Sequence, residues 1–312
     1  MFAILGSGFG LYGYLPALVD AGERIVLPER YRARFAARPE LAFLATQIQW
    51  AASEKDALAR ADGVVLALRP ADQCEWLPRC LAYKQITRLV LEKPLAPTPD
   101  AAASVLDSLK NSGKTFRIGY TFPRTNWATR LASLAKVDDV RSIAIDWTFM
   151  AHHFRHDLQN WKRSSGQGGG AIRFYGIQAI ALLAELGYRD VVSSTAYGST
   201  IDEPERWVAT FAGGDLPVCH LAIDSRAMNT SFRVGVSTQS GPPRRVTDQQ
   251  DPFDFGGDEV IRQGLDRRVD ILAQLSRSLI EAEPGRYDWY DAVVALWRVA
   301  EVKLEFHSAS GK

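Results

Sequence analysis

The sequence has little cysteine, little net charge and no long apolar run. Three cysteines occur among its 312 residues, with neither CxxC nor zinc-type spacing, which predicts reduced thiols in a cytoplasmic protein. Lysine and arginine number 37 and aspartate and glutamate 36, so the formal net charge of +1 offers no broad attraction for nucleic acid or an anionic membrane. The absence of a run of about 18 apolar residues predicts no transmembrane helix. We therefore expect a small-molecule partner, no nucleic acid and no membrane.

The N-terminal segment MFAILGSGFG also lacks the features of a secretory signal. It has no basic segment, no long apolar segment and no cleavage site, and it begins a strand at once, which agrees with a cytoplasmic location. With 46% hydrophobic and 23% charged residues, the chain is typical of a globular protein of about two domains.

Short apolar runs alternate with helical stretches in the first part of the chain. Such alternation indicates parallel strands joined by right-handed helical crossovers, with helices on both faces of the sheet. We predict a doubly wound α/β domain of the Rossmann type over residues 1–119. The runs are FAIL at 2–5, IVL at 25–27, GVVLAL at 63–68, LVLEKP at 89–94 and TFRIG at 115–119.

The pattern changes after residue 119. Apolar and polar residues alternate as in strands with one buried face, and helical patterns accompany them. We predict an α+β domain with a mainly antiparallel sheet over 120–312, and a last helix at about 288–306 that packs back on the first domain. The strand signals lie at 142–149, 205–212, 217–224 and 231–237, and the other helical patterns at 170–186 and 257–282.

The first apolar run is followed by GSGFG and a helical stretch. This order suits the pyrophosphate of a dinucleotide, because Gly6 permits the tight turn and Gly8 lets the backbone approach the phosphates. Leu11 takes the place of the usual third glycine. Alternatively, the turn only packs the helix on the strand. The predicted cofactor contacts here are Gly6, Ser7, Gly8, Phe9 and Gly10.

The end of the second predicted strand reads LPERYR at 27–32. An acidic residue there favours NAD through the ribose hydroxyls, whereas an arginine accommodates the 2′-phosphate of NADP. Pro28 takes the usual acidic place, so Glu29 and Arg30 are both predicted cofactor contacts and NADP is weakly favoured over NAD. Alternatively, the arginines are solvated surface charges.

A second motif, Glu92-Lys93-Pro94, follows the apolar run at 89–91, at an edge where doubly wound sheets bind ligands. A lysine there can meet the nicotinamide ribose and a substrate oxygen, and partial desolvation can lower its pKa for proton transfer. Alone, the motif is more often an ordinary strand-end turn.

Several segments in the same order give the chain a resemblance to a known family. GSGFGLYGYLPAL, DGVVLALRP, LEKPLAPT, GYTFPR and a GGG before a helix resemble the glucose-fructose oxidoreductase/inositol dehydrogenase/MocA family of NAD(P)-dependent oxidoreductases over nearly the whole chain. The resemblance implies a Rossmann domain followed by an α+β domain with an open, mainly antiparallel sheet. Because that sheet often forms oligomer contacts, we expect a homo-oligomer, either a dimer or a tetramer.

The resemblance also implies a chemistry and a set of residues. The family reaction is usually reversible hydride transfer at a sugar or polyol carbon, with the lysine of EKP, here Lys93, close to the reacting centre. NADP or NAD is the implied cofactor. The positions expected to line it outside the glycine turn are Leu68, Arg69, Pro70, Gln73, Glu92 and Lys93.

The chain departs from the family where the family has its acid/base pair. An Asp and, four residues later, a His usually follow the triple glycine, and here Phe174 and Gln178 take those places. Neither residue can transfer a proton at neutral pH. We predict Lys93 as the proton-transfer group, Tyr175 as the second candidate and Gln178 as a group that orients the substrate. Alternatively, Tyr175 is a core ring and Gln178 a structural amide.

Four further residues are predicted substrate contacts. Arg173 can bind a carboxylate or phosphate, Trp161 can stack on a sugar ring, and His153 lies in the segment AHHFRHDLQNW at 151–161. Tyr120 completes the set. Alternatively, these are a surface arginine, a core ring and polar loop residues. The HxxH spacing in the segment is poor support for a metal, and we predict none.

Three functions are compatible with these residues. The first is an NAD(P)-dependent oxidoreductase acting on a sugar, a sugar derivative or a similar small carbonyl or alcohol. The second is a reductase of an imine or a biosynthetic ketone, suggested by the missing Asp and His. The third is a non-catalytic NAD(P)-binding sensor or co-repressor.

Overall fold

The computed structural model describes residues 1–137, 139–253, 264–281 and 285–308. The chain forms two compact units that interleave along the sequence, whereas the predicted division has one boundary after residue 119. The first unit comprises 1–96, 104–121 and the described part of 255–286, and the second comprises 97–103, the described part of 122–254, and 287–308.

The first unit contains a parallel sheet of six strands. They are β1 Phe2–Leu5, β2 Ile25–Pro28, β3 Ile48–Ala51, β4 Gly63–Leu66, β5 Arg88–Leu91 and β6 Thr115–Ile118, in the order β3-β2-β1-β4-β5-β6. The chain runs outward from β1 to β3 and then returns to place β4 beside β1. The carboxyl ends of β1 and β4 therefore flank the point where the strand order reverses. The predicted doubly wound Rossmann sheet is confirmed.

Helices connect and cover the strands. The α-helices are α1 Leu15–Asp20, α2 Arg32–Ala36, α3 Glu54–Arg60, α4 Pro70–Leu81, α5 Pro99–Asn111, α6 Asn126–Leu134, α7 His152–Arg155, α8 Ile177–Leu186, α9 Val269–Ile280 and α10 Tyr287–Val302. Short 3-10 turns occupy Glu29–Tyr31, Pro39–Gln47, Phe122–Arg124 and Ser165–Gln167, and π-helical turns occupy Gly10–Tyr14 and Ala171–Gly176.

Helix α9 belongs to the first unit, although the helical pattern at 257–282 predicted it in the second domain. Its Leu272 and Leu279 are buried in one core with Leu15 and Leu18 of α1. On the same helix, Ser278 accepts two hydrogen bonds from buried Arg117, at 3.1 Å on Oγ and 2.8 Å on the carbonyl oxygen. Contacts between residues far apart in the sequence therefore place α9 in the first unit. Of the rest of the predicted helix, residues 264–268 are described and are not helical, and residues 257–263 and 282 lie outside the described residues.

The second unit contains a mixed sheet of seven strands. They are β7 Val140–Met150, β8 Asp190–Thr200, β9 Glu203–Ala212, β10 Val218–Asp224, β11 Arg226–Thr238, β12 Arg244–Gln249 and β13 Leu304–Ser308, in the order β12-β11-β7-β10-β9-β8-β13. The β7/β10 and β8/β13 pairs are parallel and the other neighbours are antiparallel. The predicted mainly antiparallel sheet is confirmed.

Helices α8 and α10 pack together in the second unit. Residues 177–184 of α8 are all buried, and the Trp289 indole of α10 donates a hydrogen bond to the Ala181 carbonyl oxygen at 3.0 Å. The last helix is therefore part of the second unit, and its packing on the first domain stays a prediction. Strand residues that alternate with the core positions, such as Ala144, Asp146 and His220, are exposed.

Candidate functional site

The glycine turn lies at the carboxyl end of β1, beside β4. Gly6 has a φ of +126°, and a β-carbon there would lie 2.1 Å from the Ala67 carbonyl oxygen, so no other residue fits. Gly8 is exposed, and a β-carbon there would have no atom within 4 Å. The turn thus presses against β4 on one side and leaves open space on the other, as a cradle for a phosphate requires.

Gly10 serves as the third glycine of the turn, which allows close packing between helix and strand. A β-carbon at Gly10 would lie 2.9 Å from Ile4 Cγ2, so its absence lets the start of the helix pack closely on β1. Leu11, one residue later, is buried in the core. The departure from the usual spacing is therefore a shift of one residue, which the π-helical turn Gly10–Tyr14 accommodates.

The residues that follow β2 hold each other in ion pairs. Glu29 accepts two hydrogen bonds from Arg32, at 2.5 Å from Nε and 3.0 Å from an Nη, and this pairing lowers the pKa of the Glu29 carboxyl. Arg30 forms an ion pair with Glu54. The buried Tyr31 hydroxyl accepts the Gly6 backbone N–H at 3.0 Å. The segment after β2 is thereby joined to the glycine turn.

Arg34 was missed by the sequence analysis. It is exposed on α2, and its guanidinium donates a hydrogen bond to Ser7 Oγ in the glycine turn at 2.8 Å. It follows Arg30 by four residues, which is one helical turn. That spacing was the available signal, but the turn between strand and helix hid the continuation of the periodicity.

A buried glutamine holds the EKP segment. The Gln73 side chain of α4 is fully buried, and its amide nitrogen donates to the carbonyl oxygens of Glu92 and Leu95, each at 2.9 Å. Its amide oxygen accepts the Glu92 backbone N–H at 3.0 Å. Lys93 is buried between these points, with 8% exposure, and its peptide bond to Pro94 is cis. Gln73, predicted as a cofactor contact, therefore directs its amide to the EKP backbone.

The Glu92 carboxylate is fixed by Tyr14. The Tyr14 hydroxyl donates to Glu92 Oε2 at 2.6 Å, and a β-carbon at Gly119 would lie 2.4 Å from that hydroxyl. Desolvation raises the pKa of the Glu92 carboxyl, against the opposing charges of Lys93 and Arg268. The Tyr14 hydroxyl therefore fixes the orientation of the Glu92 carboxylate.

Arg268 is a second residue missed from the sequence, because it precedes α9 and lies far along the chain. Its guanidinium donates two hydrogen bonds to Asp266, each at 2.8 Å, and lies 4.1 Å from the centroid of the Phe9 ring. The pKa of Arg268 is raised by Asp266 and, more weakly, by Tyr12 and Glu92, against desolvation. A positive charge is thus fixed beside the glycine turn.

The remaining predicted residues of the first unit also follow strand ends. Leu68 is half-buried, Arg69 is exposed and Pro70 is buried at the start of α4, directly after β4. Tyr120 is 1% exposed and follows β6. The carboxyl edge of the sheet therefore brings together the glycine turn, the residues after β4 and the EKP segment.

The triple glycine fits tightly into its own unit. Gly168 and Gly170 have positive φ values of +87° and +77°. A β-carbon at Gly169 would lie 2.2 Å from the Trp161 carbonyl oxygen, and one at Gly170 would lie 2.5 Å from Pro204 Cγ. Left-handed backbone at Gly168 and Gly170, and close packing at Gly169 and Gly170, account for the three glycines within the second unit.

The guanidinium of Arg173, a predicted substrate contact, is held by residues of its own unit. Its guanidinium donates to both carboxylate oxygens of Glu301 at 2.7 Å, and to the carbonyl oxygens of Pro97 and Ser165 at 3.0 and 2.8 Å. Four of its five N–H groups are thus used within the second unit. Its role in substrate binding stays a prediction.

Gln178 and Tyr175 lie in different surroundings. Gln178 is 4% exposed on α8, and its amide oxygen accepts the Phe122 backbone N–H at 3.4 Å. Tyr175 is half-buried, with its ring in edge-to-face contact with Phe149 and Phe174, at centroid distances of 4.8 Å for each. Their roles in chemistry stay predictions.

The predicted contacts His153 and Trp161 are part of the same aromatic region. His153 is 3% exposed, and desolvation, with smaller contributions from Lys162 and Arg163, lowers its pKa from 6.5 to about 4. The ring is therefore neutral near pH 7. Trp161 meets Phe174 edge to face at 5.2 Å. Among the described residues, no group of three His, Cys, Asp or Glu side chains is placed to hold a metal ion.

Comparison with known proteins shows the fold. No protein-family model matches the chain, and no curated protein matches its sequence. Within the described residues, no helix is long and apolar enough to span a membrane. Among solved structures, GenD2 from gentamicin A biosynthesis, in complex with NAD, is similar with a TM-score of 0.71 at 18% identity, covering 96% of this chain and 93% of that one.

Two other solved structures are similar over nearly their whole lengths. The WlbA dehydrogenase from Bordetella pertussis, in complex with NADH and UDP-GlcNAcA, has a TM-score of 0.72 at 15% identity, covering 96% of this chain and 95% of that one. The 3-ketoreductase KijD10 from Actinomadura kijaniata, in complex with NADP and TDP-benzene, has a TM-score of 0.72 at 13% identity, with 99% of both chains covered. At such identities the likeness is one of fold.

Proposed function

We propose that the protein is an NAD(P)-dependent oxidoreductase that transfers hydride between the nicotinamide and a carbonyl or alcohol group of a small molecule. The observation that carries the proposal is the carboxyl edge of the first sheet. There, the Gly6–Gly8 cradle after β1 and the Lys93 segment after β5 lie on the same edge. The ligands named for GenD2, WlbA and KijD10 support a nicotinamide cofactor.

The glycine turn fits the pyrophosphate of the cofactor. Gly8 leaves the space that a phosphate requires, and the helix that begins at Gly10 directs its N-terminal end to the same place. Ser7, Phe9 and the residues after β4, namely Leu68, Arg69 and Pro70, are the further cofactor contacts we propose.

We favour NADP over NAD as the cofactor. Pro28 leaves the end of β2 without an acidic side chain, and the following Glu29 is paired with Arg32. Arg34, bound to Ser7, adds a positive charge beside the turn. A 2′-phosphate therefore meets guanidinium groups where NAD would need a free carboxylate.

Lys93 is the proton-transfer group in this proposal. When bound, the nicotinamide supplies or accepts the hydride. In reduction, Lys93 Nζ donates a proton to the substrate oxygen while the carbonyl carbon gains the hydride, so the product is an alcohol; in oxidation the proton returns to Nζ. Gln73 and the Tyr14–Glu92 pair hold the segment that carries this lysine.

The substrate we propose is a sugar, a sugar derivative or a similar small carbonyl compound. Tyr120, His153, Trp161, Tyr175 and Gln178 are the candidate contacts, and Tyr175 is a second candidate for proton transfer. Because Phe174 and Gln178 replace the usual acid/base pair, reduction of an imine or biosynthetic ketone is the second candidate. A sensor that binds the cofactor without turnover is the third.

Cofactor titration and turnover test these proposals. We expect NADPH to bind, with enhanced nicotinamide fluorescence, and Lys93→Ala to abolish turnover while keeping that binding. Absence of cofactor binding would refute the oxidoreductase, and undiminished turnover by Lys93→Ala would refute the role of the lysine. Binding without turnover on carbonyls, alcohols or imines would support the sensor.

We also propose self-association as a dimer or tetramer. The exposed face of the second sheet carries small side chains such as Ala144 and Ala222 between charged ones such as Asp146 and Arg233. Light scattering measures the mass, and a monomer at micromolar concentration would refute the proposal.

A further inference from the structure

Tyr14 and Glu92 meet in space that a glycine of the neighbouring strand leaves open. Tyr14 has 0% exposure, and its hydroxyl donates to Glu92 Oε2 at 2.6 Å. A β-carbon at Gly119, directly after β6, would lie 2.4 Å from this hydroxyl and 2.9 Å from the same carboxylate oxygen. Any side chain at residue 119 would therefore displace the pair, so the end of β6 is shaped around this hydrogen bond.

The Tyr14 ring packs against Phe9 of the glycine turn. The two ring centroids lie 5.3 Å apart in an edge-to-face arrangement. A β-carbon at Gly13 would lie 2.3 Å from Phe9 Cε2, so the Phe9 ring occupies space that only a glycine leaves. The glycine turn and the Tyr14–Glu92 hydrogen bond therefore belong to one packed group of side chains.

The Arg268 guanidinium adds a positive charge to this group. It lies 4.1 Å from the centroid of the Phe9 ring, where the π electrons attract a cation. Asp266 accepts two hydrogen bonds from it, each at 2.8 Å. Because the guanidinium is fixed by both contacts, its charge stays beside the glycine turn.

Two further titratable or charged side chains lie in the same group. The Tyr12 ring is in edge-to-face contact with Phe9 at 5.2 Å, and desolvation raises the pKa of its hydroxyl, which is therefore neutral near pH 7. The Arg38 guanidinium lies 4.6 Å from the centroid of the Tyr12 ring and pairs with Glu40 at 3.1 Å. These residues contribute little net charge near Glu92.

Glu92 lies among groups that favour its charged form. Desolvation raises the pKa of its carboxyl, while Lys93, the Tyr14 hydroxyl and Arg268 each oppose the rise. The Asp266 carboxylate, in contrast, is paired with Arg268. The charge of Glu92 therefore depends on the hydroxyl and the guanidinium, and the residue that follows it in the chain is Lys93.

We propose that Tyr14 and Arg268 are positioning residues that keep the Glu92 carboxylate charged and oriented, and so hold Lys93 in the protonated form that reduction needs. This inference rests on the proposed proton transfer by Lys93. Burial favours the neutral form of a lysine, whereas a fixed carboxylate next to it favours the ammonium. The ammonium must be present before it can protonate the substrate oxygen. Tyr14 and Arg268 thus act on the lysine through Glu92.

NMR of the intact protein with isotope-labelled lysine tests the inference without substrate. Lys93→Ala assigns the Lys93 resonance. Tyr14→Phe keeps the ring and removes only the hydroxyl, and Arg268→Gln removes the guanidinium charge. In both variants we expect the midpoint of the Lys93 titration to move to a pH lower by at least about 0.5, because Glu92 then binds a proton more readily. Arg268→Lys keeps the charge, so its midpoint should stay close to that of the wild type.

Two controls separate this role from a role in stability alone. Tyr83→Phe removes a hydroxyl between α4 and β5, at the amino edge of the same sheet. Arg277→Gln breaks another arginine–aspartate pair, between α9 and Asp20. We expect urea unfolding to show a loss of stability in Arg277→Gln, and the midpoint of the Lys93 titration to stay unchanged in both controls.

An unchanged midpoint in Tyr14→Phe and Arg268→Gln, or an equal shift in the controls, would overturn the inference. If Arg268→Gln does not fold, Tyr14→Phe decides alone. The pH profile of kcat for carbonyl reduction is measured on the same variants, and its alkaline limb should move with the titration. Undiminished turnover by Lys93→Ala would refute the role of the lysine whatever the titration shows, so this failure and that of the proposed function are distinguished.

Discussion

The two units differ in the sequence distance over which their candidate residues are fixed. In the first unit, Gly6 is the residue directly after β1, and Lys93 lies two residues after β5, so the sheet itself places them. In the second unit, Arg173 is held by Glu301, 128 residues further along the chain. The positions of strand-end residues can therefore be predicted from the local sequence pattern. The partner of a long side chain such as Arg173 cannot.

The largest effect is expected when a methyl group is added to the glycine turn after β1. At Gly6, with a φ of +126°, Gly6→Ala places a β-carbon 2.1 Å from the Ala67 carbonyl oxygen. We expect thermal unfolding to show a loss of more than about 3 kcal/mol in the free energy of unfolding.

Gly8→Ala is the matched control in the same turn. Its β-carbon would have no atom within 4 Å, so we expect unchanged stability but weaker NADPH binding, because the methyl group points into the space reserved for phosphate. A Gly6→Ala protein as stable as the wild type would remove the steric argument for the turn.

The second unit is expected to respond to pH through His153. Its folded pKa is depressed from 6.5 to about 4, so the unfolded state binds more protons between these values. Stability is then fully present above pH 6.5 and falls by up to about 3 kcal/mol as pH drops towards 4. Urea titrations near pH 7 and pH 4.5 measure the difference.

His153→Phe separates this histidine from the other acid-sensitive groups. The variant should lose less stability than the wild type over the same pH interval, whereas the exposed control His220→Gln should follow the wild type. Identical pH slopes for His153→Phe and wild type would show that the buried imidazole does not contribute.

Arg173→Ala tests the long-range fixation of the second unit. Loss of its contacts to Glu301, Pro97 and Ser165 should lower the free energy of unfolding by about 2 kcal/mol, since the partners lose charge-assisted hydrogen bonds. The control Arg298→Ala breaks a more exposed pair with Asp100 and should cost at most about 1 kcal/mol. Urea unfolding compares them. Unchanged stability with a raised KM would instead favour the substrate-binding role.

The sequence distance between partners, in either unit, explains what the sequence could predict. Period and turn chemistry predicted the glycine turn and nine of the strands, enough to anticipate both sheets, but they did not predict β3, β8, β12 or β13. The place of α9 could not be predicted, because the pairing of Arg117 with Ser278 spans 161 residues and leaves no local signal. The sequence placed Gln73 at the carboxyl edge of the first sheet. Its hydrogen bonds to the backbone of the EKP segment depend on the path of that segment, which the sequence does not show.

Gln73→Ala tests whether these hydrogen bonds to the EKP backbone contribute to catalysis. Removal of the amide leaves the backbone groups of Glu92 and Leu95 without their partner, so Lys93 loses its fixed position. We expect kcat to fall about tenfold with little change in KM for the substrate and a shifted pH profile. Steady-state kinetics measures both constants.

Gln85→Ala is the control for Gln73, because Gln85 is exposed and makes one hydrogen bond, to the Leu58 carbonyl oxygen. Its kinetics should match the wild type. Equal loss of activity in both variants, or a Gln73→Ala enzyme with an unaltered kcat and pH profile, would contradict this role. Gln73 would then contribute only to the stability of the fold.

The smallest effect expected is on cofactor choice. Arg34 is exposed and bound to Ser7, so Arg34→Ala should weaken NADPH binding about fivefold and leave NADH binding nearly unchanged. Arg79→Ala is the control, since Arg79 is exposed in the last turn of α4 and its guanidinium lies over the Trp76 ring. Fluorescence titration with both cofactors gives the ratio. Equal weakening of NADPH and NADH would assign Arg34 to the turn rather than to a 2′-phosphate, and the local pattern after β2 would then carry no information on cofactor choice.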